Sequence, residues 1–108
     1  MDLIDCHTHT QFSFDSDAPI GDCIRQAERL GLAAYAITDH CECNWWYPRE
    51  HYGEDVQSED FDFGRDFERS VSEVDRIKKE YSGKTRIICG TEMGQGHHAP
   101  DISAKIAA

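Results

Sequence analysis

The chain has 108 residues, which is the size of a single domain with a modest core. Its 21 acidic and 11 basic residues give a net charge of -10, which argues against a protein that coats nucleic acid or an acidic membrane surface. Hydrophobic residues make up 39% of the sequence, as expected of a folded chain, and no apolar run is long enough to cross a bilayer.

Five cysteines are scattered through the chain without the spacing of a disulfide framework. They are Cys6, Cys23, Cys41, Cys43 and Cys89, an odd number. The first residues do not have the pattern of a secretory signal. We therefore expect reduced cysteines and a cytoplasmic protein.

Hydrophobic patterning predicts strands and helices in alternation. The predicted strands are residues 3–6, 32–37 and 85–89, and the predicted helices are residues 20–30, 65–81 and 101–107. Asp17 is expected near the N-cap of the first helix, with Pro19 in its first turn and Gly31 as its C-terminal cap. Residues 41–64 lack periodicity and are predicted to form a long loop. This order of elements predicts an α/β fold built from parallel βαβ units.

Side chains that can bind metal follow the ends of these strands. His7 and His9 come after the first strand and point to one side of it, because residues two apart in an extended chain share a face. His40 follows the second strand and Glu92 the third, and parallel strands end at one edge of a sheet. Asp15, in the loop after the first strand, is placed to fold back over this edge. We therefore predict that the five side chains converge.

Imidazole and carboxylate ligands suit zinc, manganese or iron, and a carboxylate such as that of Glu92 can bridge two ions. Two neighbouring ions could convert a shared water to hydroxide and clamp the oxygens of a phosphate ester, so the set predicts hydrolysis of a phosphoester. Taken one by one, the same residues have plainer explanations: solvated histidines in a polar loop, a strand-end histidine bonded to backbone and a surface carboxylate. Their recurrence at successive strand ends favours a metal site.

Four short stretches together resemble motifs of a known family. They are DCHTHT at residues 5–10, SFDS at 13–16, ITDH at 37–40 and GTE at 90–92. In this order they resemble the first three motifs of the PHP domain, the polymerase and histidinol phosphatase superfamily. The aromatic insertion after His40, the helix ending near Tyr81 and the EMG stretch at 92–94 are similar to the histidinol-phosphatase branch. The resemblance covers nearly the whole chain.

The resemblance implies a PHP fold, which is a distorted (β/α)7 TIM-like barrel with two or three divalent metal ions at the carboxyl edge of its strands. It implies a hydrolase that cleaves a small phosphate monoester such as L-histidinol phosphate, in histidine biosynthesis, by a metal-activated water and with no other catalytic group. The implied metal ligands are His7, His9, Asp15, His40 and Glu92, with Glu92 as the bridge. Asp5 and Asp39 would orient ligand histidines without touching the metal.

Two further residues are candidates for contact with the substrate, and neither lies in the family's motifs. Arg49, in the predicted aromatic loop, could meet a phosphate or an imidazole ring, and His98 could meet metal or phosphate. For Arg49 the alternative is a solvated position in a mobile loop. No nucleic-acid partner is expected, so a PHP-type nuclease or nucleotide phosphatase is the weaker alternative within the superfamily.

The chain is less than half as long as family members, whose later strands supply further ligands. Residues 1–108 are therefore expected to form a single PHP-like domain that is the amino-terminal part of a longer one. Because three parallel strands cannot close a barrel, self-association or the missing carboxyl-terminal part would have to cover the apolar face. The alternative from a different class is a truncated, non-catalytic metal-binding or assembly module.

Overall fold

The computed structural model of the protein describes residues 2–42, 63–94 and 96–108, except for the side chains of residues 63–65 and 98. Along the chain its elements are β1 (Ile4–Asp5), α1 (Ile20–Arg29), β2 (Ala34–Ile37), β3 (His40–Glu42), α2 (Phe63–Glu80), β4 (Arg86–Cys89), β5 (Glu92–Gly94), a 3-10 turn (Gly96–His98) and α3 (Pro100–Ala107). None of the helices in these residues is long and apolar enough to cross a bilayer. Four of the five cysteines fall within the described residues, and no disulfide joins any two of these four.

The main sheet has three strands in the order β1-β2-β4, and both pairings are parallel. One helix connects β1 to β2, and α2 precedes β4, so the predicted α/β class with parallel strands is confirmed. The predicted strands and helices all exist, and each described strand is shorter than its prediction.

Two short strands carry this pairing past the end of the main sheet. Ala34 pairs with Arg86 in the main sheet, and His40 pairs with Glu92 in the sheet of β3 and β5. The two partners of each pair are 52 residues apart in sequence, so the register is the same in the main sheet and in the sheet of β3 and β5. In the break between these two sheets, the amide of Glu92 donates to the carbonyl of Asp39 at 3.1 Å. In effect β3 continues β2, and β5 continues β4.

The predicted loop at residues 41–64 is therefore wrong at both ends. Cys41 and Glu42 belong to β3, and α2 already begins at Phe63. Residues 43–62 lie outside the described part of the chain. Three residues are too few to reveal a period of two, and Cys41 is in fact fully buried, against Ala99 and its neighbours.

The core lies between the helices and one face of the main sheet. Ile20, Ile24 and Ala27, at helical spacing on α1, join Val74 of α2 against Tyr35, Ile37 and Ile87 of the strands. Full burial of one such aliphatic side chain contributes about 1.5–3 kcal/mol. On the opposite face Ile4 is 59% exposed, so among the described residues the helices cover only one side of the sheet.

A Schellman motif ends α1, which confirms the cap predicted from Gly31. The φ of Gly31 is 70°, in the left-handed region that favours glycine. Its amide donates to the carbonyl of Glu28 at 2.9 Å, and the amide of Leu32 donates to the carbonyl of Ala27 at 3.0 Å. These bonds turn the chain directly into β2.

The start of α1 differs from the prediction. Pro19 is the N-cap residue, with an extended backbone and no side-chain cap of its own. The amide of Ile20 donates instead to the side-chain oxygen of Gln11 at 2.9 Å. The expected role of Asp17 was therefore wrong, because a residue from the preceding loop folds back and satisfies the first free amide of the helix.

Candidate metal centre

The two histidines after β1 project together because Thr8, between them, is tied to β2. Its amide donates to Oγ1 of Thr38 at 3.1 Å, and its hydroxyl donates to the carbonyl of Ala36 at 2.6 Å. The amide of Thr38 in turn donates to the carbonyl of Thr8 at 2.8 Å. Thr8 thus faces the sheet, and the extended chain turns His7 and His9 to the other side.

His7, His9 and Glu92 form the first group of potential ligands. Oε2 of Glu92 lies 2.8 Å from Nε2 of His7 and 2.8 Å from Nε2 of His9. The two Nε2 atoms are 3.1 Å apart. Residues 85 positions apart in sequence therefore aim three ligand atoms at one point.

His9, Asp15 and His40 form the second group. Nδ1 of His9 lies 3.0 Å from both carboxylate oxygens of Asp15, and Nε2 of His40 lies 3.2 Å from Oδ2 of the same carboxylate. Nε2 of His40 is also 3.8 Å from Oε2 of Glu92. The two groups therefore adjoin one another, with His9 common to both.

The spacing and chemistry of these atoms fit a divalent metal. Tetrahedral ligands at about 2.0–2.2 Å from an ion lie about 3.3–3.6 Å from one another. The observed separations of 2.8–3.2 Å within the groups are a few tenths of an ångström shorter. Imidazole nitrogen with carboxylate oxygen is a donor set for zinc, manganese or iron. The side chain of His7 is 65% exposed, so a ligand could approach from solvent on that side.

The histidines favour the charged form of both carboxylates. Burial acts to raise the pKa of Glu92, but hydrogen bonds from His7 and His9 and the charge of His40 outweigh it and hold the pKa below its usual value. Burial likewise acts to raise the pKa of Asp15, and the hydrogen bonds from His40 and His9 reverse it, so this pKa too is lowered. Both side chains therefore offer anionic oxygens at neutral pH.

The two aspartates expected to orient histidine rings have other contacts. Oδ1 of Asp5 accepts a hydrogen bond from the backbone amide of His7 at 3.2 Å. Asp39 is 1% exposed, and within the described residues its side-chain carboxylate accepts four hydrogen bonds, from Thr10, Ser13 and Ser70. The hydroxyl of Ser13 also accepts the backbone amide of His40 at 2.9 Å. The link from Asp39 to His40 thus runs through Ser13 and the backbone. Ring orientation by Asp5 or Asp39 stays a prediction.

Two neighbours of His40 were missed by sequence reasoning. The Phe14 ring packs on the His40 ring, with centroids 4.5 Å apart. Glu42 places Oε1 3.8 Å from Nδ1 of the same ring. The alternation of His40, Cys41 and Glu42 could have indicated a shared face, but the stretch was interpreted as loop. Arg49 and the side chain of His98 lie outside the described residues, so their expected contacts stay predictions.

Comparison with known proteins agrees with the family suggested by the motifs. A model of the PHP domain family matches residues 5–106, and the chain belongs to this family. The predicted family is thereby confirmed.

Two relatives carry the name probable histidinol-phosphatase. The one from Thermotoga maritima is 48% identical over 40 residues, which make up 37% of this chain and 17% of that protein. The one from Schizosaccharomyces pombe is 27% identical over 94 residues, or 82% of this chain and 29% of that protein. The chain therefore spans less than a third of the curated relatives it matches. No solved structure matches it at a significant level.

Proposed function

We propose that the chain carries part of the active site of a metal-dependent phosphoesterase that hydrolyses a small phosphate monoester. The observation that carries the proposal is the convergence of His7, His9 and Glu92 beside His9, Asp15 and His40 at the ends of neighbouring parallel strands. The names of the two relatives make L-histidinol phosphate the first substrate to try.

The proposed roles follow the two groups. His7 and His9 would hold one ion through their Nε2 atoms, with Glu92 between it and a second ion, while Asp15 and His40 would serve neighbouring ions. Two or three divalent ions are expected, of zinc, manganese or iron. Such ions lower the pKa of a coordinated water and polarise a phosphate ester. The residues themselves hold the candidate ligand atoms in fixed directions, because each residue lies at a strand end or in a loop bonded to one. Asp15 and Glu92 also supply two negative charges.

We also propose that residues 1–108 form a single PHP-like domain belonging to the amino-terminal part of a longer TIM-like barrel. The strand order β1-β2-β4, parallel and in the order of the chain, supports this arrangement. A metal-binding module without turnover is the second candidate. It is favoured by the small share of each relative that the chain matches, 17% and 29%.

The first experiment is elemental analysis of the purified chain beside a His7→Ala/His9→Ala double variant. Phosphate release from histidinol phosphate is assayed on the same samples, and His97→Ala, which removes an exposed histidine outside both ligand groups, is the control. Metal present in the unmodified chain and control but lost in the double variant, together with turnover, supports the phosphoesterase. Metal without turnover supports the binding module, and no metal in the unmodified chain refutes the proposed site.

A further inference from the structure

The ring of His40 contacts two other rings, but packing alone does not decide which of its nitrogens faces the ligand groups. Phe14 lies against it at 4.5 Å between centroids, and His9 at 4.4 Å. These contacts fix the plane of the ring. Ring carbon and nitrogen atoms differ little in size, so a half-turn of the ring within this plane would pack almost equally well. Polar neighbours must therefore select the orientation.

Carboxylates lie near both nitrogens of this ring, those of Asp15 and Glu92 on the Nε2 side and that of Glu42 on the Nδ1 side. Oδ2 of Asp15 lies 3.2 Å from Nε2, and Oε1 of Glu42 lies 3.8 Å from Nδ1. Glu42 can reach the ring because it follows His40 by two residues in β3 and shares its face. The distance of 3.8 Å exceeds a direct hydrogen bond, and a small rotation or one bridging water would close it. The Glu42 side chain is 17% exposed, so solvent has little access to it.

The space for this carboxylate depends on a glycine in the facing strand. Gly94 of β5 pairs directly with Glu42 of β3. A Cβ atom added at Gly94 would collide with the carboxylate of Glu42. Even a methyl group at this position would push the Glu42 head group away from its present place beside His40.

We propose that Glu42 is a positioning residue for His40, whose carboxylate accepts the Nδ1 proton and so keeps Nε2 free for a metal ion, and that Gly94 leaves the room it needs. The inference rests on the proposed metal site at His40. A histidine that binds metal through one nitrogen ordinarily donates its other N–H to a carboxylate, carbonyl or water, and such partners set the tautomer and ring orientation. Among the described residues, Glu42 is outside both groups of close ligand atoms.

The test uses zinc alone as the probe. Zinc affinity and stoichiometry are measured by competition with a chromophoric chelator for the unmodified chain, Glu42→Ala and Glu42→Gln. Glu68→Ala is the matched control, because Glu68 is an exposed carboxylate on α2 outside the ligand groups. Glu42→Ala should weaken zinc binding on the order of 10–100-fold without changing the number of ions bound. Glu42→Gln keeps an acceptor oxygen and should restore most of the affinity, while Glu68→Ala should change nothing.

The second readout is the ring nitrogen NMR spectrum, recorded on the metal-free protein and again with zinc. Glu42→Ala should move the Nδ1 resonance of His40 in both states and leave that of His7 unchanged. Unaltered zinc affinity together with an unmoved His40 resonance would overturn the proposal. So would the loss of a whole zinc equivalent, because Glu42 would then be a ligand itself. An unmodified chain that binds no zinc would refute the proposed function, and the metal-free spectra would still decide whether Glu42 contacts His40.

Gly94→Ala provides an independent check on the same contact. By displacing the Glu42 carboxylate it should reproduce the loss of zinc affinity and the shift of the His40 resonance. In the Glu42→Ala background the same substitution should have no further effect, because there is no carboxylate left to displace. Further weakening in the double variant, or normal zinc binding in Gly94→Ala alone, would contradict the assigned role of the glycine.

Discussion

Replacement of Asp39 should test how the loop that carries Asp15 is held. Oδ1 of Asp39 accepts from the amide of Thr10 and the hydroxyl of Ser13, and Oδ2 accepts from the hydroxyls of Thr10 and Ser70, at 2.5–2.9 Å. One buried side chain thereby joins the start of the loop, its middle and α2. Asp39→Ala removes the acceptor of all four bonds and leaves a cavity.

The magnitude follows from which donors can turn away. The backbone amide of Thr10 is fixed, and leaving it unpaired in the interior costs about 1–3 kcal/mol. The three hydroxyls can rotate toward other partners, and removal of the carboxylate also relieves the cost of burying a charge. The cavity left by the side chain adds to the cost of the unpaired amide, and we therefore expect Asp39→Ala to lower the free energy of unfolding by about 2–4 kcal/mol. In Asp39→Asn the amide oxygen can keep the position of Oδ1 while two hydroxyls turn to accept from the new NH2 group, so about 1–2 kcal/mol is expected.

The assay is denaturation by urea in the presence of a chelator, so that bound metal does not contribute to stability. Asp17→Ala is the matched control, because Asp17 is exposed in the same loop, and its effect should stay within about 0.5 kcal/mol. Equal stability of Asp39→Ala and the unmodified chain would refute the reasoning. If the alanine variant does not fold, Asp39→Asn should still be less stable than Asp17→Ala, and this difference tests the same reasoning.

Three further predictions concern single features. Gly31→Ala should lower the free energy of unfolding by about 1–2 kcal/mol in urea denaturation, because φ is 70° and no neighbouring atom lies within 4 Å of the added Cβ to compensate. The pKa values of Asp15 and Glu92 are lowered from 3.8 and 4.5, so these carboxylates stabilise the folded state fully above those values and progressively less as the pH falls below them. A metal-free protein that is equally stable at about pH 5 and pH 3 would contradict this prediction. Burial raises the pKa of Tyr35 to about 12, so its absorbance should titrate near that pH, and stability should fall as pH rises from 10 toward 12.

The parallel α/β class and the convergence of the candidate ligand residues could be predicted because both depend on order along the chain. Apolar runs at 32–37 and 85–89 indicated strands, and polar residues directly after them had to lie at one edge if the strands were parallel. No side-chain contact was needed for that inference. His7, His40 and Glu92 meet because the chain returns to the same edge after each helix.

The rest depended on contacts that leave no periodic signal. β3 and β5 have three residues each, too few for alternation to be recognised. The hydrogen bond from Ser70 to Asp39 joins a helix to a strand end 31 residues away, and a serine in the middle of a helix carries no mark of such a role. The same holds for Glu42, whose effect on His40 depends on a glycine in another strand.

The strand register determines the geometry of the candidate site more than the candidate ligand residues themselves do. His40 and Glu92 form a cross-strand pair, and the register that pairs them is already set where Ala34 faces Arg86 in the main sheet. A slip of one residue between these strands would turn Glu92 to the opposite face and away from His7 and His9. Thr91 helps to carry the register across the break, since its hydroxyl donates to the carbonyl of Asp39 at 3.0 Å. The candidate ligand atoms can therefore lie near solvent while their spacing is maintained by the strand pairing beneath them.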